Sequence, residues 1–191
     1  MRILALQGCP RENSKTQTIV EIVLAAAREA GAETEVVELR RLNSLAGCQE
    51  CYECQDTPEE PGCPIDDDMR HILGKAVMAD VILWATPVHC WSPSALLKMA
   101  MDRFNCMFKF TEDGQMRSLI AGRRMAAIIT SRDKDTGGSD LVAEIFHRMG
   151  EFSECTWCGE LLTGNAHTPE MIREDADIVA RAQGFGRKLV S

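Results

Sequence analysis

Ile3-Leu4-Ala5-Leu6-Gln7-Gly8-Cys9-Pro10-Arg11-Glu12-Asn13-Ser14-Lys15-Thr16, residues 3–16, is the stretch from which the fold can be read. Ile3 to Leu6 is an unbroken apolar run, the pattern of a short, fully buried strand. Gly8 to Ser14 is a turn, and a helix is expected from about Lys15 to Ala30. Its apolar residues Ile19, Ile22, Val23, Ala26, Ala27 and Ala30 recur at three- and four-residue spacing, which turns one face toward a sheet. Gly31 supplies the stop, and Thr34–Leu39 reads as a second strand. Strand, helix, strand is the opening of a parallel sheet.

The alternation continues along the chain. Asp66-Asp67-Asp68 is placed to cap a helix from Met69 to Met78, and Val81–Ala85 is a third buried strand. Ser92 and Pro93 read as cap and first turn of a helix ending near Phe104. Residues 108–122 look irregular; Arg124–Ile129 is a fourth strand, Leu141–Met149 a helix and Gly159–Leu162 a fifth strand. Thr168-Pro169 caps a last helix expected to carry Ile172, Ala176, Val179, Ala182 and Leu189 inward. These elements make an α/β, doubly wound, five-stranded parallel sheet in one domain spanning residues 1–191. Ligands of such sheets sit at the carboxyl ends of the strands, where the winding reverses.

Residues 40–67 break the pattern. So long a segment without periodicity is uncommon in a compact domain unless it is functional. It holds Cys48, Cys51 and Cys54 at two-residue gaps, then Cys63 after an acidic spacer. Three readings compete for these thiols: an iron–sulfur cluster, a structural zinc ion, or four thiols left free or oxidised. The closely spaced triplet favours the cluster, whereas zinc more often takes two separated pairs.

Nine cysteines, an odd number, fit a reducing compartment and metal or redox chemistry better than a paired extracellular framework. The first residues run straight into strand pattern with no cleavage region, so a cytoplasmic location is expected. A net charge of −8 without any basic tract argues against nucleic acid or an anionic membrane as partner. Cys155-Thr156-Trp157-Cys158 is a second pair, read as packing more than redox because no helix start follows to activate it. Cys90 and Cys106 read as small hydrophobes. Met99, Met101 and Met107 read as core or subunit interface.

Three loops fall at the expected ligand end. Cys9 to Thr16 opens a helix, whose free N–H groups and dipole attract a phosphate. Arg11, Asn13, Ser14 and Thr16 add side-chain donors. The competing reading is an ordinary capping box from Ser14 to Gln17. No Walker pattern or GxGxxG is present, which weakens nucleoside triphosphate and Rossmann readings. Pro87-Val88-His89-Cys90-Trp91-Ser92 offers Trp91 or His89 to lie along a flat ring, or else Trp91 packs and His89 is surface. Thr130-Ser131-Arg132-Asp133 with Gly137-Gly138 allows close backbone approach, or is a plain surface loop.

Together these segments resemble the flavodoxin-like NAD(P)H-dependent FMN reductases. Residues 8–16 are similar to their Gly-Ser-Pro-Arg phosphate loop. Thr86-Pro87-Val88 through Ser94-Ala95-Leu96-Leu97-Lys98 and Asp102-Arg103 resemble their second signature. The cysteine loop, flowing into Ile65-Asp66-Asp67-Asp68-Met69, resembles the iron–sulfur flavoprotein branch.

The resemblance implies a flavodoxin-like strand order. FMN would be held at Cys9, Arg11, Asn13, Ser14, Thr16 and Gln17, with Pro87, Val88, His89, Cys90, Trp91 and Ser131 beside the ring. A [4Fe–4S] cluster would sit on Cys48, Cys51, Cys54 and Cys63. Such a flavin-dependent oxidoreductase passes electrons between a one-electron carrier such as ferredoxin and a two-electron partner such as NAD(P)H, as a homodimer or homotetramer. Two departures stand out: Cys9 replaces the usual Ser, and the Cys54–Cys63 spacing is longer than the compact form. The alternatives are a cluster-free NAD(P)H-dependent FMN or quinone reductase, a flavodoxin-like carrier, or a zinc-stabilised binding module.

Overall fold

A computed structural model describes residues 1–132, 137–164 and 168–191. Its main sheet has strands β1 (Arg2–Gln7), β2 (Glu33–Glu38), β3 (Val81–His89), β7 (Arg124–Thr130) and β8 (Thr156–Thr163). They lie in the order β2-β1-β3-β7-β8, all parallel. This is the doubly wound arrangement expected from the sequence, with the winding reversed between β1 and β3.

Period-two alternation divides the core into two layers. Leu4, Leu6, Ile82 and Trp84 face one side, under α2 (Met69–Met78), α3 (Ala95–Arg103) and α4 (Ser139–Phe152). Ile3, Ala5, Val81, Leu83 and Ala85 face the other, under α1 (Lys15–Glu29), α5 (Pro169–Glu174) and α6 (Ala176–Lys188). Trp84 anchors the first layer, with its ring centroid 4.8 Å from Phe104 and 6.0 Å from Phe146. None of the helices among the described residues is long and apolar enough to cross a membrane.

Several boundaries depart from the sequence reading. The third strand does not stop at Ala85 but runs to His89 and turns back into β4 (Ser92–Pro93), which pairs with it antiparallel. Ser92 and Pro93 are therefore strand residues, and the cap of α3 is Ser94, whose Oγ accepts from Leu97 N. Residues 108–118 contain a small hairpin, β5 (Phe108–Phe110) with β6 (Met116–Ser118). The last helix is two helices, because Asp175 Oδ1 accepts from Asp177 N and Ile178 N and starts α6 afresh. That break turns Ala176 outward and puts Ile178 and Phe185 inside with Ala182 and Leu189.

Candidate functional site

The in-register strands deliver three loops to one edge of the sheet. Gln7 pairs with Ala85, and Pro87 with Thr130, so the segments after β1, β3 and β7 emerge side by side. Gly8 N donates to Ala85 O, keeping the first loop on the sheet. Ser94 Oγ donates to Gly8 O at 2.5 Å. A Cβ on Gly8 would lie 2.5 Å from Leu97 Cβ, so only glycine permits this close approach of β1 to α3.

Side chains then clasp the first loop to the third. The hydroxyls of Thr16 and Thr130 are 2.7 Å apart and both residues are buried. Lys15 Nζ donates to Ser131 O. Burial holds the Lys15 pKa below its ordinary value, and the neighbouring Arg11 charge adds to that depression. Lys15 was not among the residues expected here. Its signal was its place directly after the helix cap, where a lysine reads as a solvated first-turn residue.

Ser14 caps α1 by accepting from Gln17 N at 3.2 Å, but the reciprocal bond of a capping box is not made, because the Gln17 side chain turns to Glu21. The first turn of α1 contains no acidic residue, leaving the positive end of the dipole uncompensated beside Arg11 and Lys15. Asn13 is exposed in a left-handed conformation, φ 45°. Cys9 is buried, and Gln17 donates to Glu21 while its own Oε1 is buried without a partner among the described residues. These features suit a phosphate group.

The second loop is a two-residue hairpin. Its central residues, Cys90 and Trp91, have φ 48° and 58°, the pattern of a type I′ turn built without glycine. Trp91 is 65% exposed, with its edge against Gly138, where a Cβ would stand 2.7 Å from Trp91 Cδ1. Pro87 and Val88 are half-buried, and His89 and Cys90 are exposed, so Cys90 is not the buried small hydrophobe expected. Ser131 is buried at the start of the third loop, and Asp133 lies outside the described residues.

At the far end of α3 the cysteine loop is organised by charged side chains. Asp67 Oδ2 accepts from Arg103 Nη1 at 2.6 Å and Ala46 N at 3.0 Å, and its Oδ1 caps α2 through Met69 N. Of the acidic run expected to cap this helix, Asp67 makes the cap bond, while Asp68 makes none and accepts from Asn43 N and Ser44 N. Burial pushes the Asp67 carboxyl up, but the Arg103 bond and the backbone N–H groups outweigh it and hold the group below the usual carboxylate range. Lys109, 3% exposed, donates to Cys54 O at 2.6 Å and Pro61 O at 3.0 Å, bridging the segments that carry Cys54 and Cys63. Burial lowers its pKa.

Cys48, Cys54 and Cys63 are half-buried and Cys51 is exposed. Cys54 is close enough to Cys63 and Cys51 to feel their charge, and shares a cleft with Cys48. Burial raises the Cys54 thiol. Among the described residues no three Cys, His, Asp or Glu side chains stand in ligating geometry. Cys106, buried beside Cys54 and Cys63, is pushed up to about 12 by burial and then by those neighbouring thiols.

The NADPH-dependent FMN reductase family model matches residues 1–184. The chain belongs to this family. It is a flavin-dependent oxidoreductase. An iron–sulfur flavoprotein of Methanocaldococcus jannaschii is 40% identical over 151 residues, which cover 78% of this chain and 71% of that protein. One from Methanosarcina thermophila is 36% identical over 103 residues, 54% of this chain and 52% of that one. The family fold extends to solved structures. An FMN-dependent NADH-azoreductase from Bacillus anthracis in complex with FMN superimposes with a TM-score of 0.72 at 16% identity, covering 100% of this chain and 99% of that one. For an NAD(P)H:quinone oxidoreductase from Methanothermobacter marburgensis the values are 0.71 and 19%, with 98% of both chains covered.

Proposed function

We propose that this FMN reductase family member carries a [4Fe–4S] cluster on Cys48, Cys51, Cys54 and Cys63 and exchanges electrons between a one-electron carrier, such as ferredoxin, and a two-electron partner. The observation that carries the reading is helix α3. Its first turn touches the flavin end, through Ser94 Oγ to Gly8 O, and its last residue, Arg103, anchors the cysteine loop at Ala46 O and Asp67. Ser94 and Arg103 are nine residue steps apart at about 1.5 Å of rise each, so one rigid element would space both redox sites.

In this reading Arg11, Asn13, Ser14, Thr16 and Lys15 hold the FMN phosphate at the α1 N-terminus, with Cys9 and Gln17 lining the same loop. Residues Pro87 to Trp91 and Ser131 border the ring. Flavin handles electrons singly or in pairs and an iron–sulfur cluster singly, so the two together couple carriers of different electron count. The chain's part is to bind, orient and shield. The soft thiolate set of the cysteine loop fits an iron–sulfur cluster, which Cys48, Cys51, Cys54 and Cys63 would hold.

Anaerobic purification followed by iron, acid-labile sulfide and FMN analysis tests this. Iron and sulfide with FMN are expected; zinc without sulfide overturns the reading. Cys51→Ser should abolish cluster absorption while FMN stays bound.

One observation favours a second reading. Asp67, Arg103 and Lys109 tie the cysteine loop to α3 and β5 by direct hydrogen bonds, an anchoring that a cluster-free NAD(P)H:quinone reductase would also need. An FMN-dependent NAD(P)H:quinone oxidoreductase of Pseudomonas aeruginosa is 31% identical over 146 residues, 69% of this chain and 68% of that one. Rapid bleaching of bound flavin by NADPH in cluster-depleted protein is the result that favours this alternative.

A further inference from the structure

Two cations are buried beside the cysteine loop, and neither is used by the flavin end. Arg103 is 1% exposed and Lys109 3% exposed. Arg103 is matched by Asp67, yet its Nε and Nη2 are buried without a nitrogen or oxygen partner among the described residues, and the Cys63 thiol lies beside the guanidinium. Lys109 has no carboxylate within ion-pair distance among the described residues; its ammonium is satisfied by Cys54 O and Pro61 O. A buried ammonium held by carbonyls alone is costly unless negative charge comes close. The groups facing it are Cys54, Cys63 and Cys106, with Glu60 at the rim.

We propose that Lys109 is the positioning and counter-charge residue of the cysteine site, with Arg103 donating its unpartnered N–H groups to cluster or cysteine sulfur. This rests on the functional reading above. The geometry supports two roles for Lys109. By bonding carbonyls on both sides of the longer Cys54–Cys63 spacer it sets the separation of those two thiols. Its charge also favours whichever oxidation state is more negative. Each electron added to a thiolate-bound cluster makes it more negative, so a nearby fixed cation raises the reduction potential. N–H groups aimed at sulfur act in the same direction.

The experiment compares wild type, Lys109→Arg and Lys109→Met by iron and sulfide content, FMN content and a redox titration of the cluster followed by electron paramagnetic resonance. Lys109→Met keeps the unbranched stem of the side chain as far as Cε but removes the ammonium, with its charge and donors. With cluster loaded, it should show at least a tenfold less favourable one-electron reduction equilibrium, a drop of about 59 mV, while Lys109→Arg stays near wild type. An unchanged potential in fully loaded Lys109→Met overturns the inference alone. Iron absent from wild type overturns the functional reading, and this inference with it.

Should Lys109→Met bind FMN but lack iron, Lys109→Arg decides. A loaded Lys109→Arg supports the charge role. If both variants lack iron while binding FMN, the lysine is a packing residue and the inference falls.

Discussion

Arg103 Nη1 donates to Asp67 Oδ2 at 2.6 Å, with the two side chains 0% and 4% exposed. The pair joins the last residue of α3 to the segment entering α2, and Ala46 completes it from both sides, its N–H on Asp67 and its carbonyl on Arg103. Taking two charges out of water is costly, so such a pair does more to specify the loop's path than to add net stability. Removing one partner is another matter. Asp67→Asn leaves a buried guanidinium without its counter-charge and should cost roughly 3–5 kcal/mol in urea unfolding. A loss under about 0.5 kcal/mol would mean that the guanidinium reaches water instead.

The same carboxylate gives a pH dependence of known sign. Its folded pKa lies below the ordinary 3.8, because the Arg103 bond and backbone N–H groups outweigh the upward push of burial. A depressed pKa contributes stability that is fully present above the unfolded value and is lost as pH falls through the folded one. Wild type should therefore lose stability between neutral pH and the region below 3.8, and Asp67→Asn should lose less over that interval. Urea midpoints of both proteins at neutral and acid pH measure the difference. Equal slopes would remove Asp67 from the account.

Gly8 sets the spacing between β1 and α3. A Cβ there would meet Leu97 Cβ at 2.5 Å and Ser94 Oγ at 2.9 Å, both below contact distance. Gly8→Ala must push the first loop off α3, at about 1–3 kcal/mol for overpacking. Because the same movement displaces Lys15 and Thr16 from Ser131 and Thr130, FMN titration should show weaker binding as well as lower stability. Unchanged affinity would place the flavin away from this loop.

The inner strands β1, β3 and β7 were legible because they are buried on both faces and read as continuous apolar runs, whereas the edge strands β2 and β8 are part exposed and mix polar with apolar residues. The third strand was read short for a physical reason: Pro87 looks like a strand end, and Cys90-Trp91 lacks the Asn-Gly or Asp-Gly signature of a type I′ turn. The small β5–β6 hairpin did carry its sign, Asp113-Gly114 with Gly114 at φ 79°, inside a stretch read as irregular. The loops after β1, β3 and β7 emerge side by side as the strand order implies, but the Thr16–Thr130 and Lys15–Ser131 clasps join residues more than 100 positions apart and leave no local pattern. Arg103 and Lys109 were hidden for a similar reason. A lone basic residue reads as solvated until tertiary structure shows what seals it.

Cys155 and Cys158 provide a test of the β8 assignment. Cys155 packs with the layer under α4 and its Sγ donates to Ile120 O, whereas Cys158 belongs to the opposite layer and accepts from Arg124 Nε at 3.1 Å. Thiols on opposite faces of a strand cannot meet the Cβ geometry of a disulfide. Burial also pushes Cys155 up to about 11, which suppresses the reactive thiolate. Mild oxidation of the folded protein should leave this pair unlinked in peptide mass spectrometry. A Cys155–Cys158 disulfide formed without unfolding would overturn the register of β8.

The last prediction concerns the strain in the ring-side hairpin. Cys90 and Trp91 both occupy the left-handed region at φ 48° and 58°, a conformation that costs a side-chain-bearing residue about 1–2 kcal/mol. The flanking pairs Val88–Pro93 and His89–Ser92 hold the turn, and Gly138 leaves room for the Trp91 ring. Asparagine tolerates this conformation far better than cysteine without glycine's entropic penalty. Cys90→Asn should therefore raise stability by about 0.5–1 kcal/mol if the exposed thiol has no role of its own. Thermal melts read the gain, and FMN titration tells whether it is neutral for the cofactor. A gain in stability with unchanged FMN binding places the relieved strain at Cys90 and shows that its thiol is dispensable for the cofactor. A loss of FMN binding with the backbone relaxed would show that the strained thiol itself borders the flavin ring, as the family resemblance implies.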